Sequence, residues 1–500
     1  MVKKEKGSKT WEKIKAEEAK NLSCGKHCEK YEEELKEKAR KLSIQEGSSY
    51  SFMDGFGLRN ISPYAIAIGA NNFQIGLLSS IPTILGNFLQ LFSYKYMEKF
   101  SRKKLVTWGV FIQALMWLFI IIPGILYFKF NNDGSLPANI LIVVYTLLVV
   151  SGAFTGPIWS SWMKDIVPSE KSGSYFGKRN RITGALALFA AIIGSFTLDY
   201  FKHTEIFWGF VLLFLLSFVA RSISAWLFTK KYEPQFKSDR KYYFSFFQFV
   251  KKMVYNNFGR FVIFVSLITF ATAISGPFFA VYVLKDLGFN SIPFGYFYYF
   301  LVQGLSSSVA SILSMQFWGK LGDKYGTIKI MKFNGWFVSL IPIMWIGSIF
   351  FIHNFFILLF YLIVVELFSG FIWAGFNLSV GNFIYDSTTR QRMPLCVAYF
   401  NMINGTGAFL GATIGGVLAS FNIGFWILSP LLVVFLISGI LRISFYLLMK
   451  KNIREVKEVK DDFNFKKELK KSVRESFSSL SKVEFFEFLR LKRMRPREIG

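Results

Sequence analysis

The sequence predicts an all-α membrane protein: 12 transmembrane helices in two pseudo-symmetric six-helix bundles, with both termini cytoplasmic. Three observations predict it. Apolar stretches recur at roughly 20 residues, the length a helix needs to cross a hydrocarbon core of ~30 Å. Basic residues crowd the connections on one side. The second half of the chain repeats polar landmarks of the first at a near-constant spacing.

The apolar content is 52%, with 59 Phe among 500 residues. A soluble fold could not hide that many large apolar side chains from water, whereas lipid solvates them. The spans are predicted at 48–70, 73–93, 104–127, 138–163, 181–201, 206–229, 259–284, 293–317, 328–352, 355–381, 394–421 and 424–449. Their length requires helices, because barrel strands need only ~10 residues and alternate polar with apolar.

The net charge is +27. Its position argues against nucleic-acid binding. Of the 59 Lys and Arg, only Lys129, Lys202 and Lys285 fall in outer connections, and only Arg59, Arg221 and Arg442 lie deep in spans. The other 53 sit with the tails, which places both termini in the cytoplasm and the surplus charge against anionic headgroups. The charged start of the chain predicts no cleavable signal peptide, so the first span serves as the insertion signal. Cys24, Cys28 and Cys396 are too few for a disulfide framework and are expected as reduced thiols. Cys24, His27 and Cys28 supply at most three metal ligands where a closed zinc site wants four, so no metal is expected.

Five regions follow. Residues 1–47 are a charged cytoplasmic tail with 13 basic and 10 acidic residues. Residues 48–229 form the first bundle, 230–258 a basic central loop and 259–449 the second bundle. Residues 450–500 are a basic tail in which Leu469, Val473, Phe477, Leu480 and Phe488 recur at helical spacing, the pattern of an amphipathic helix on the inner membrane face. A shift of 221 pairs Asp165 with Asp386, Asn180 with Asn401, Gly184 with Gly405, Ser217 with Ser438 and Arg221 with Arg442. Earlier in each half a shift of 225 pairs Lys95, Lys99 and Lys104 with Lys320, Lys324 and Lys329. Apolar composition does not create matched Asp, Asn and Arg. An even helix number leaves the halves in the same orientation, a parallel repeat.

Three segments then carry a family resemblance. Gly319-Lys-Leu-Gly-Asp323-Lys324-Tyr-Gly326 resembles the major facilitator superfamily signature, a Gly–acid–base–Gly turn between two helices. Tyr94-Lys-Tyr-Met-Glu98-Lys99-Phe-Ser101 looks like its degraded first-half copy, with Glu for Asp and both glycines missing. The stretch from Trp159 through Trp162 and Asp165 to Pro168, followed by Gly173-Ser-Tyr175-Phe176-Gly177-Lys-Arg179-Asn180, is similar to prokaryotic permeases, although Ser172 stands where they commonly carry Arg. The resemblance covers about 48–450. It implies a secondary transporter in the cell membrane that moves a small solute by alternating access and is coupled to protons. Spans 1, 4, 7 and 10 would line a central cavity and spans 3, 6, 9 and 12 would sit outside. The signature loops, with Glu98, Lys99, Asp165, Arg179, Asp323, Lys324 and Asp386, would form the cytoplasmic gate. The alternative is a transporter-like sensor without flux.

Charges inside a bilayer are costly and mark candidate sites. Arg59 lies about eleven residues into the first span, roughly 16 Å deep. It binds an anionic group of the solute or pairs with a fixed carboxylate, Glu366, at similar depth in span 10. Glu366 in turn exchanges a proton or serves as that partner. Asp54 couples to protons, joins the inner gate or caps the helix; its offset of some 140° puts it on another face from Arg59 in a regular helix. Arg221 and Arg442 are read as structural, with side chains snorkelling to the headgroups. Trp159, Trp162, Gln303, Trp373, Asn377 and Asn404 complete the expected cavity. Gly407, Gly411 and Gly415 make a flat face for close helix approach, and Pro63, Pro82, Pro157 and Pro277 supply bends.

Other classes are excluded. No Gly-Lys step continues to Ser or Thr in a phosphate-loop frame. His27, His203 and His353 are too far apart for a metalloprotease, and no Gly-x-Ser-x-Gly elbow exists. The expected partners are a small solute, the bilayer and protons, with no nucleic acid and no cofactor, and the expected state is a monomer.

Overall fold

The computed structural model describes residues 5–97, 99–132, 135–168, 172–234, 245–388, 392–421, 428–450 and 452–456. The predicted amphipathic segment at 469–488 lies outside them, as does gate candidate Glu98. The described helices are α1 (Glu5–Phe56), α2 (Ile61–Ala67), α3 (Asn72–Met97), α4 (Arg102–Phe128), α5 (Leu136–Ile166), α6 (Ser172–Lys202), α7 (Ile206–Lys230), α8 (Phe246–Lys252), α9 (Asn257–Ser275), α10 (Phe278–Val281), α11 (Gly295–Phe300), α12 (Ser307–Tyr325), α13 (Thr327–Ile346), α14 (Phe355–Ser387), α15 (Met393–Ser420) and α16 (Pro430–Met449).

Among the described residues, 11 helices are long and apolar enough to cross a membrane. The first expected span, 48–70, is not among them because it is helical in three pieces. α1 stops at Phe56, a 3₁₀ turn follows at Leu58–Asn60, and α2 has seven residues. The break is chemically supported. Gly57 passes so close to Trp117 and Ser217 that a Cβ there would stand 2.3 Å from the indole. The Asn60 side-chain amide donates to the carbonyls of Phe56, at 2.9 Å, and Gly55, at 3.3 Å, acceptors that the interrupted ladder leaves open. Spans seven and eight are irregular too, with π-helical turns at Tyr282–Asp286 and Leu301–Ser306. Such turns are rare and concentrate at functional places.

The amino-terminal bundle packs α1, α3, α4, α5, α6 and α7 together, and the carboxy-terminal bundle packs α9 and α12–α16. They meet along two seams, α3 on α15 and α6 on α11, which exchange under the internal repeat. Burial in α1 begins before the expected tail boundary, with Ala39 and Ser43 fully enclosed. Gly407, Gly411 and Gly415 do lie flat, against the main chain of α9: a Cβ on each would come within 2.7 Å of the carbonyls of Ser266, Phe270 and Ile274.

Candidate functional site

The bundles are fastened at the end away from the tails. The Asp199 carboxylate, near the close of α6, accepts the main-chain N–H groups of Tyr296 at 3.0 Å and Phe297 at 2.9 Å across the seam. Lys202 donates to the Ile292 carbonyl at 2.7 Å, and Phe196 stacks on Phe297 with ring centroids 4.7 Å apart. On the other seam Asn72 donates to the Ala419 carbonyl at 2.9 Å, and Gly76 approaches Gly416 so closely that a Cβ would stand 2.9 Å from its Cα. A Cβ on Gly156, Gly177, Gly322 or Gly381, toward the tails, would meet nothing within 4 Å, and neither would one on Gly184 or on Gly288 at the far end.

Between these ends lies a cavity of about 280 Å³ lined by Arg59, Gly184, Leu188, Ser307, Ser308, Ser311 and Ile312. Arg59 reaches it from the 3₁₀ turn. Its Nε donates to Asp54 Oδ2 at 3.3 Å. The offset of 140° held for a regular helix; the break at Gly57 swings Arg59 back over the last turn of α1 and overturns that expectation. Glu366 is therefore not the ion-pair partner of Arg59. It is buried in α14, accepts the Trp345 indole N–H at 3.2 Å, and has the Ser307 side chain as a second hydrogen-bonding neighbour. Among the described residues no cation lies within ion-pair distance of it.

The other polar candidates do not line this cavity. Trp373 stands edge-on to Phe376 with centroids 5.6 Å apart, and Asn377 is exposed. Gln303 sits in the π-helical turn, and its buried Nε2 has no hydrogen-bond partner among the described residues; nor has Asn404 Oδ1. Trp159 belongs to a cluster at the tail end. There Glu46, nearly fully buried, accepts from Trp159 Nε1 at 3.2 Å, Ser43 Oγ at 3.2 Å and Arg179, whose guanidinium lies over the Trp159 ring.

Asp165 pairs with Arg102 at 2.7 Å. Arg102 is completely enclosed, donates to the carbonyls of Ser161 and Pro234, and lies 3.7 Å from Glu233. Beside it Lys231 is enclosed by the rings of Trp162, at 4.8 Å, Phe228, at 5.4 Å, and Trp159, at 5.8 Å, with the Met163 sulfur at 3.0 Å. Burial lowers its pKa to about 8, against the smaller opposing pull of Glu46. Lys99 and Asp323 are exposed, Lys324 lies over the Tyr325 ring at 4.7 Å, and Asp386 accepts from Thr327 Oγ1 at 3.2 Å. Arg102, Glu233, Glu46 and Asp199 escape sequence reasoning. The repeat aligns Arg102 with Thr327, so no charge match marks it, and Glu46 reads as part of a solvated tail.

Arg221 and Arg442 do not snorkel. Both are buried. Arg221 donates to Gln113 Oε1 at 2.6 Å and lies over the Tyr50 ring; Arg442 donates to the Val338 carbonyl at 3.0 Å and Ser275 Oγ at 2.9 Å. Polar groups inside the bundles engage them in place of headgroups, although Arg442 Nε has no partner among the described residues.

Solved transporters share this architecture. The nucleoside transporter NupG superposes with a TM-score of 0.61 at 14% identity, over 84% of this chain and 100% of that one. A bacterial homologue of the iron transporter ferroportin gives 0.58 at 14%, over 83% and 98%. A bacterial homologue of the human lysosomal transporter Spinster gives 0.56 at 14%, over 82% and 96%. These likenesses establish the fold. No curated protein sequence gives a significant match. The Major Facilitator Superfamily model matches residues 47–384 and 304–495, nearly the whole chain outside the amino-terminal tail. The chain belongs to the Major Facilitator Superfamily of membrane transporters.

Proposed function

We propose that the protein is a secondary active transporter of the cell membrane, with cytoplasmic tails, that moves a small solute bearing an anionic group by alternating access and couples the movement to protons. One observation carries the reading: Glu366, buried with no counter-ion among the described residues, is separated from the Arg59 cavity by one side chain, Ser307. An uncompensated buried carboxylate costs several kcal/mol, and taking up a proton removes that cost. Solute on Arg59 and proton on Glu366 then act through a shared neighbour. The end fastened by Asp199 and Lys202 is the contact that alternating access would have to release. A carrier fold kept as a sensor would bind solute without flux.

The test uses proteoliposomes of the full chain under an imposed proton gradient. Glu366→Gln should abolish accumulation yet retain solute exchange across a membrane with no gradient. Accumulation that survives in Glu366→Gln at every pH would remove the proton role, and binding without flux in the wild type would favour the sensor.

A further inference from the structure

We infer that the solute is a small zwitterion carrying a carboxylate beside an amine, an amino-acid-like molecule with its carboxylate on Arg59 and its N–H groups on Ser307 and Ser311. The inference rests on the cavity being the transport site and adds the chemistry of the solute.

Arg59 defines one end. Its Nε is engaged by Asp54, and among the described residues the two terminal nitrogens have no partner. They form the end-on fork of the guanidinium, which matches the two oxygens of a carboxylate. Because the Arg59 side chain is 31% exposed in a span that must otherwise be dry, the fork opens on the cavity it lines.

The serines define the other end. A hydroxyl has one proton. Ser311 Oγ places its proton on the Gly370 carbonyl at 2.8 Å. Ser307 Oγ places its proton on the Gln303 carbonyl at 3.3 Å or on neighbouring Glu366. Both oxygens therefore present lone pairs to the cavity. Lone pairs repel a second anionic group and accept N–H donors.

Charge accounting selects between a plain acid and a zwitterion. Asp54 already neutralises Arg59, and in the solute-loaded state Glu366 carries its proton and is neutral. A monoanion would then leave net negative charge deep in the membrane, where charge is costly; a zwitterion adds none. The cavity of about 280 Å³ has room for a small metabolite, near the lower end of the ~300–1,000 Å³ of ligand pockets.

The experiment measures thermal shift and calorimetric binding on the purified full-length protein. The probes are the 20 standard amino acids, each beside the amine lacking its carboxylate and the acid lacking its amine. We expect at least one amino acid to raise the melting temperature, with the matching amine and acid each binding about 100-fold more weakly, since a site built to hydrogen-bond a group rejects the analogue without it. Ser307→Ala with Ser311→Ala should narrow the gap between amino acid and acid, while Ser307→Thr with Ser311→Thr, which keeps both hydroxyls, should preserve it. Acids that bind as tightly as the amino acids, or a panel in which nothing binds, would overturn the zwitterion. Binding unchanged by Arg59→Ala would instead overturn the cavity as the transport site, so the two failures are distinguishable.

Discussion

In the amino-terminal bundle Arg102 closes on Asp165 with an ion pair at 2.7 Å; at the repeat-equivalent place in the other bundle Thr327 offers Asp386 a hydroxyl at 3.2 Å. The correspondence extends further. Glu233 accepts the N–H of Arg102 at the start of α4, and Glu455 accepts the N–H of Ile328 at the start of α13. Two residues before each glutamate stand Lys231 and Ile453, both enclosed. At its tail-side end one bundle encloses Arg102 and Lys231, whereas the matching positions of the other carry Thr327 and Ile453 on the same backbone plan. Buried ion pairs add little net stability against well-packed apolar groups, but losing one partner is expensive. The amino-terminal bundle should therefore tolerate substitution there far less well than its twin.

The largest expected effect breaks that asymmetry at its centre. Arg102→Ala should destabilise the purified protein by about 3 kcal/mol or more, since it gives up several hydrogen bonds of a charged donor at about 1.5–3 kcal/mol each, read as a fall in melting temperature, whereas Thr327→Val should cost about 1 kcal/mol. Equal losses would dissolve the distinction. Lys231→Met, which borrows the apolar solution of Ile453, should stabilise by about 1–4 kcal/mol at pH 7. The pH dependence has a definite sign. The folded Lys231 loses its proton near pH 8 and the unfolded one near 10.5, so between those values the unfolded chain holds the extra proton and wild-type stability rises with pH. Lys231→Met should flatten melting temperature across that window; an unchanged slope would show that Lys231 is not its source. Gln113→Val should cost about 1.5–3 kcal/mol, because it takes from Arg221 the charge-assisted bond that Arg442 replaces with a carbonyl. The seams sharpen the comparison last. Asp199→Ala should widen distances between spin labels across the closed end, and Asn72→Ala should do so less, since a carboxylate holding two N–H groups outweighs one neutral amide. The reverse order would make the α3–α15 seam the tighter one.

The spans and the parallel repeat were readable from residues because both depend on quantities local to the chain, the length of an apolar run and the identity of matched polar positions. Arg59 was readable for the same reason, as a charge deep in an apolar run. Its pairing with Asp54 was not, because angular reasoning assumes an unbroken helix and the break depends on contacts that Gly57 makes with Trp117 and Ser217, far along the chain. Glu46 and Arg102 were hidden by composition: each sits among many charges that water could solvate, and only tertiary packing of α1 and α4 shows that it does not. Asp199 lies at a helix end, where an acid is unremarkable until its acceptors find the main chain of the opposite bundle.

The glycine contacts between α3 and α15 have a mechanical consequence. They run from Gly76 against Gly416 to Asn87 beside Gly405, a stretch of about 16 Å along α3, and at its outer part backbone lies close on backbone, with hydrogen bonds across it from Asn72 to the Ala419 carbonyl and from Thr413 to Ser80. Such a line behaves as a fulcrum: small residues let one rod roll on the other with few bonds to exchange. The α6–α11 side, clasped at its rim and hollow beneath, is then the lever arm. Turnover would be set by how quickly that clasp lets go rather than by friction along the axis.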